Sequence, residues 1–251
     1  MPYKKKKMSG VPMPQMSQKR FMQWLQVPEK TCAPAAKPLF TENINWRIFR
    51  IMAEFIEGFE FLSKFKKEVT IFGSARTKPE NKYYKIAREL GNILGKNGYT
   101  VITGGGPGIM EAANRGADEA KGVSVGLDIE LPKGQRRNEY AREAMGFHYF
   151  FTRKVMLSAS AQAYVFFPGG FGTLDEFSEM LVLVQTQKIP SNVPCILVGK
   201  DYWQPFLDWV EKTVCEESGN IDKDDFKIIR PVDTAKEAFE IIKKTTERDF
   251  G

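Results

Sequence analysis

The stretch Phe167-Pro168-Gly169-Gly170-Phe171-Gly172-Thr173-Leu174-Asp175-Glu176 follows the apolar run Ala163-Tyr164-Val165-Phe166 and opens a segment with apolar residues at Leu174, Phe177, Leu181 and Val184. The run has the length of a short buried strand, and the spacing after it is that of one helical face. The glycines therefore stand where a strand turns into a helix N-terminus. Unpaired amides and the positive end of the helix dipole attract an anion at such a place, and Gly169, Gly170 and Gly172 let the backbone come close to it. Two carboxylates, Asp175 and Glu176, lie beside this cradle. Thr173 and Glu176 also have the spacing of a capping box, in which the threonine caps the helix and the glutamate reaches back. Capping and chemistry thus compete for one carboxylate.

A second loop of the same kind lies upstream, where Tyr99-Thr-Val-Ile-Thr103 runs into Gly104-Gly-Gly-Pro-Gly-Ile-Met110 and then a helical stretch over 111–121. Two strand–glycine–helix units imply two walls of one nucleotide site. The dinucleotide fingerprint does not fit, because counting from Gly104 it needs glycine at the position of Ile109. No Gly-Lys-Ser/Thr ending occurs, so a P-loop triphosphatase is not indicated.

From Val69 the pattern alternates. Strands are expected over 69–72, 99–103, 123–129, 163–167 and 194–198, with helices over 80–97, 111–121, 152–162, 174–187, 202–215 and 235–246. Strands alternating with helices of this length predict a doubly wound parallel α/β sheet. Both glycine loops and Gly73-Ser74-Ala75-Arg76 fall at the carboxyl ends of strands, where such sheets bind ligands. Ahead of the sheet, residues 43–65 carry apolar residues at Ile48, Met52, Phe55, Phe59 and Leu62, flanked by Phe49 and Ile56, a wide helical stripe that packs on its own domain or on another subunit.

At 251 residues the chain has length for one α/β domain with an extension. The net charge of +6 suggests nucleic acid until it is located. Residues 1–40 hold eight of the 37 basic residues and one of the 31 acidic ones, so the rest of the chain is nearly neutral. Lys4 to Lys7 and the surrounding prolines read as a flexible arm with a solvated charge run, and 41–251 as a single nucleotide-binding domain. Neither a membrane span nor the apolar core of a secretion signal is evident, which leads to a cytoplasmic expectation. Cys32, Cys195 and Cys215 show no Cys-x-x-Cys pairing, so no disulfide framework or zinc site is indicated. His148 is the only histidine. It lies in the aromatic run Phe147-His-Tyr-Phe-Phe151, where packing is expected, and histidine-based triads and metal clusters are thereby disfavoured. Carboxylates and arginines remain as candidates: Glu176 and Asp175 at the cradle, and Arg153-Lys154 near the start of the preceding helix, where cations are unfavourable unless an anion faces them.

These motifs resemble the Lonely Guy family, the cytokinin riboside 5′-monophosphate phosphoribohydrolases often labelled lysine decarboxylases. The signature Pro-Gly-Gly-x-Gly-Thr-x-x-Glu stands complete over 168–176. A companion Arg-Lys-x-x-Met is matched by Arg153-Lys154-Val155-Met156-Leu157 with the methionine one place early, which puts the base-contacting role of that position in question. The glycine loop 104–110 also matches, and the similarity extends over about 69–214. The resemblance implies a Rossmann-like fold, a homodimer or larger homo-oligomer, and hydrolysis of AMP or N6-substituted analogues to base and ribose 5-phosphate. No cofactor and no metal is implied. Glu176 and Arg153 become the catalytic pair, with Ser74, Gly105, Gly106, Gly108, Met110, Lys154, Gly169, Gly170, Gly172 and Thr173 as substrate-binding candidates. A carboxylate in that position can stabilise an oxocarbenium-like state while orienting water. A decarboxylase would need a lysine Schiff base to pyridoxal phosphate, and no His-Lys pair occurs. The alternative is a nucleotide-binding or molybdenum-cofactor carrier module, which would use the cradle but not Glu176 and Arg153.

Overall fold

The computed structural model describes residues 44–130, 137–159 and 161–248. The arm expected over 1–40 lies outside them. By its contacts the chain divides after Trp46, and the unit from Arg47 onward holds the whole sheet.

Seven strands, all parallel, form one sheet: β1 (Glu68–Phe72), β2 (Thr100–Thr103), β3 (Ser124–Ile129), β4 (Glu143–Phe147), β5 (Ala163–Phe166), β6 (Cys195–Val198) and β7 (Ile229–Val232), in the spatial order β4-β3-β2-β1-β5-β6-β7. Chain order runs outward from β1 to one edge, then returns to β5 on the other side of β1. The fold is thus a Rossmann-like doubly wound α/β sheet whose switch point lies between β1 and β5.

β1, β2, β5 and β6 are buried at every position, as expected of central strands covered on both faces. Their side chains alternate between two cores. Val69, Ile71 and Val165 face the layer of α2 (Lys82–Lys96), α3 (Ile109–Glu119) and α7 (Ala235–Ile242). Phe72, Tyr164 and Phe166 face the layer of α1 (Ile44–Leu62), α4 (Phe150–Ala159), α5 (Phe171–Gln185) and α6 (Lys200–Trp209). A π-helical turn, Val210–Glu217, continues α6, and a 3₁₀ turn, Lys223–Ile228, leads into β7.

Three expectations need correction. The edge strands β4 and β7 were not anticipated, because Glu-Ala-Met-Gly-Phe and Ile-Arg-Pro-Val lack a strand-like run, and such sequences are tolerated at a sheet edge. Helix α5 begins at Phe171 with Gly170 as its N-cap, so Thr173 is in the first turn and the capping-box reading of Thr173 and Glu176 does not hold. His148 is exposed rather than packed, with its Nδ1 3.0 Å from Glu130 Oε2. The stripe on α1 is only partly covered. Leu62 is buried and Phe55 packs on the core, while Ile48, Phe49, Met52 and Ile56 are exposed.

α1 is fixed to the site by Glu54, which is buried at 7% exposure. Its Oε1 accepts from His148 N at 2.9 Å, and its Oε2 accepts from Thr152 Oγ1 at 2.6 Å and, more loosely, from Tyr149 N at 3.4 Å. A carboxylate from one helix thereby caps the N-terminus of another, favourable both for the orphan amides and for the helix dipole. Glu54→Ala is expected to destabilise the fold by roughly 2–4 kcal/mol, since it leaves buried donors unpaired. Urea denaturation measures this, and a loss below roughly 0.5 kcal/mol would mean the cap is dispensable.

Candidate functional site

The β1–β5 register pairs Phe72 with Phe166, so the loops after the two strands leave the sheet side by side. Phe167 N donates to Phe72 O at 2.9 Å and Ser74 N to Pro168 O at 3.1 Å, extending the pairing into the loops themselves. Between them and the starts of α4 and α5 opens a cleft of about 900 Å³. Ser74, Arg76, Tyr83, Gly104, Met110, Phe150, Arg153, the 168–173 loop, Glu176 and Tyr202 are on its walls.

Two glycine loops border the cleft, and each is held from behind. Tyr202 Oη donates to Gly169 O at 2.7 Å, and Thr173 is buried against Gly169, where a Cβ would strike its hydroxyl. The loop after β2 is shaped by a buried polar network. Gly105 N donates to Thr103 Oγ1 at 3.0 Å, Thr103 Oγ1 to Asn114 Oδ1 at 2.6 Å, and Asn138 Nδ2 to Gly106 O at 3.0 Å. Gly105 and Gly108 have φ of 67° and 72°, backbone that other residues rarely adopt. Both helices that start at these loops lack a side-chain cap: α3 at Gly108 and α5 at Gly170. By contrast α2 and α7 are capped by Asn81 and Thr234. Ile109 N at the start of α3 is bonded to Ser74 O and Thr173 N to Gly170 O, so it is the amides of Phe171 and Gly172 at the start of α5 that are left to a ligand or to water.

Arg153 from α4 and Glu176 from α5 both line this cleft. Glu176 Oε2 and Arg153 Nε are buried with no hydrogen-bond partner among the described residues. Burial pushes the Glu176 carboxyl up to about 7, with Lys154 and Arg153 pulling the other way. Burial also lowers the proton affinity of Arg153, opposed by Glu176 and Asp128. Each charge is therefore held in a place that disfavours it, a pattern concentrated at working sites.

The sequence candidates fall into two groups. Ser74, Met110, Gly169, Gly170, Gly172 and Thr173 line the cleft with the pair. Gly105, Gly106, Gly108 and Lys154 do not; the first three shape the loop from behind, and Lys154 turns to α5. Met156 is buried in the core against Gly58. Sequence reasoning missed Tyr202, the Asn114–Asn138 network and Asp128. Asp128, one residue before the end of β3, tucks against Gly105 and pairs with Arg137; burial raises its proton affinity against the pull of Arg137. Asn114 carried one signal, since asparagine inside a helix is unfavourable unless its amide is used.

Among known proteins, the family model described as "Possible lysine decarboxylase" matches residues 110–242, more than half of the chain. The chain is 28% identical over 156 residues to a cytokinin riboside 5′-monophosphate phosphoribohydrolase of Rhodococcoides fascians, covering 60% of this chain and 77% of that one. It is likewise 28% identical over 180 residues to the rice (Oryza sativa subsp. japonica) phosphoribohydrolase LOG, covering 70% and 72%. Among solved structures, the molybdenum cofactor carrier protein of Chlamydomonas reinhardtii shares the fold with a TM-score of 0.53 at 19% identity, over 71% of this chain and 97% of that one. The two-loop cleft, the complete signature over 168–176 and the match of the family model make this chain a member of the Lonely Guy family, the one described as possible lysine decarboxylases.

Proposed function

We propose that this protein hydrolyses the N-glycosidic bond of a purine nucleoside 5′-monophosphate, AMP or an N6-substituted analogue, giving free base and ribose 5-phosphate. The observation that carries this reading is the Glu176 carboxylate, half-buried beside Arg153 with one oxygen unpartnered, at the mouth of an anion-binding loop. The names of the relatives support the same chemistry.

The 5′-phosphate sits on the amides of 169–172 at the start of α5, where the dipole and the bare backbone favour it. Arg153, planar and permanently charged, holds phosphate or ribose oxygens in one pose. As the C1′–N9 bond breaks, its electron pair goes to the purine and positive charge grows on C1′ and the ring oxygen. Ionised Glu176 stabilises that charge and takes a proton from the water that adds to C1′. A group titrating near neutrality then returns the proton to the departing base, which balances the reaction with water as the only co-reactant.

Decarboxylation fits the cleft poorly. It needs a lysine to hold pyridoxal phosphate, and among the described residues the cleft is lined by none. A carrier role would use the loops but would leave the burial of Glu176 without purpose, and the likeness to the carrier protein at 19% identity concerns the fold alone. We further propose that a homodimer covers Ile48, Phe49, Met52 and Ile56 on α1, since a contiguous apolar face of this kind favours a subunit contact.

Incubating the purified protein with AMP and with isopentenyladenosine monophosphate, and following free base by chromatography, tests the reaction. Glu176→Gln is expected to cut base release at least about 1,000-fold while nucleotide affinity stays within about tenfold, because the phosphate contacts are mostly backbone. A fully active variant would refute the mechanism. Activity should climb as pH rises through about 7, where Glu176 loses its proton. Stability should move oppositely. Between the ordinary 4.5 and about 7 the folded state holds a proton that the unfolded chain has released, so stability falls as pH rises through that window. Glu176→Gln is therefore expected to raise stability at pH 8 by roughly 1–3 kcal/mol, with a smaller gain at pH 5. Chemical denaturation at the two pH values decides, and a variant less stable than the parent at pH 8 would contradict it.

A further inference from the structure

Lys154 follows Arg153 on α4, yet its ammonium does not reach the cleft. Its Nζ lies 2.9 Å from Asp175 Oδ2, as a hydrogen bond, and 2.9 Å from Glu179 Oε2, close enough for an ion pair although not aligned as a hydrogen bond. The side chain is 20% exposed. Asp175 and Glu179 are four residues apart and so share one edge of α5. Glu176, next to Asp175, lines the cleft together with it, whereas Glu179 and Lys154 do not. A lysine committed to two carboxylates is part of a cluster with net negative charge, which does not attract phosphate.

We propose that Lys154 is a positioning residue for Glu176: by clamping Asp175 and Glu179 it ties α4 to α5 and screens two neighbouring carboxylates, so that Glu176 is held in the cleft wall with Arg153 and gives up its proton more readily than it would without the ammonium. The inference rests on Glu176 being the working carboxylate of the proposed hydrolysis. The charged groups bearing on Glu176 are Arg153 and Lys154 from α4, and Asp175 and Glu179 from its own helix, while Asp128 from β3 acts on Arg153. Without the Lys154 ammonium, three carboxylates would crowd one turn of α5 against a single guanidinium. Like charges so close favour protonation of the most buried member. The clamp also accounts for a cation in the first turns of α4, where the helix dipole alone would disfavour it.

The test follows the Glu176 carboxyl directly, by ¹³C NMR titration of glutamate-labelled protein, with Glu176→Gln assigning the signal. In Lys154→Met the midpoint is expected to move up by about one pH unit, and the acidic limb of the kcat profile with AMP to move with it. Lys154→Arg, which keeps the charge, is expected to restore both. Lys154→Gln gives a second neutral variant should the first fail to fold, with the same shift expected. An unmoved midpoint in the neutral variants overturns the proposal, whether kcat falls uniformly, as from loose packing, or KM for AMP rises, as from a lost ligand contact. If the wild type releases no base, the hydrolase reading fails by itself, and the titration still decides whether Lys154 holds the charge of Glu176.

Discussion

The pairing of β1 with β5 is the constraint on which the site depends. These strands are distant in sequence and adjacent in space, and their register sends Gly73-Ser74 and Pro168-Gly169 out of the sheet together. Every other strand is added outward from this pair. At β1–β2, β2–β3, β5–β6 and β6–β7 the connection is a helix packed over the junction. Only where the chain reverses its winding is a crevice left open, and both helices bearing Arg153 and Glu176 start next to it.

Within that crevice the protein maintains a charge arrangement that costs free energy. The Glu176 carboxyl is desolvated, Arg153 is desolvated, and one polar atom of each lacks a partner among the described residues. The surroundings over-determine the arrangement. Glu54 holds the start of α4 from α1, Lys154 joins α4 to α5, and Tyr202 fixes the glycine loop from α6. Asp201 anchors the far side of the mouth. Its carboxylate accepts from Lys82 at 2.8 Å and from Tyr83 at 2.6 Å, and these two bonds hold it down to about 2. Four side chains, Glu54, Lys154, Tyr202 and Asp201, thus brace one pair of charges.

Much of this was legible in the sequence, for definable reasons. The central strands and the larger helices are regular because both sheet faces are covered, and burial leaves an unbroken apolar run or a 3.6-residue stripe. The glycine loops announced the switch point. The edge strands were hidden, since Glu143–Phe147 and Ile229–Val232 are held by one neighbour each and need little of their own β propensity. The start of α5 was misplaced because glycines in a first helical turn look like loop, and only the fold shows that Gly170 is the cap. Tyr202, Asn138 and Asp128 were out of reach for another reason. Their roles exist only through contacts with loops far away in the chain, and a single tyrosine or asparagine carries no periodic signal. Lys154 shows the converse: its neighbour and motif suggested a ligand, and the direction of its side chain gives it to α5.

The uncapped start of α5 has a consequence for motion. A helix whose first amides have no internal acceptor frays from that end, and its backbone hydrogens exchange with solvent through small local openings. At α3 that end is held, since Ile109 N donates to Ser74 O at 3.1 Å; the turn after Gly170 is then the less protected of the two, whereas α2 and α7 are closed by Asn81 and Thr234. An anion on those amides would supply the missing cap. The same contact that holds a ligand would quiet the first turn of α5, and with it the backbone that carries Glu176.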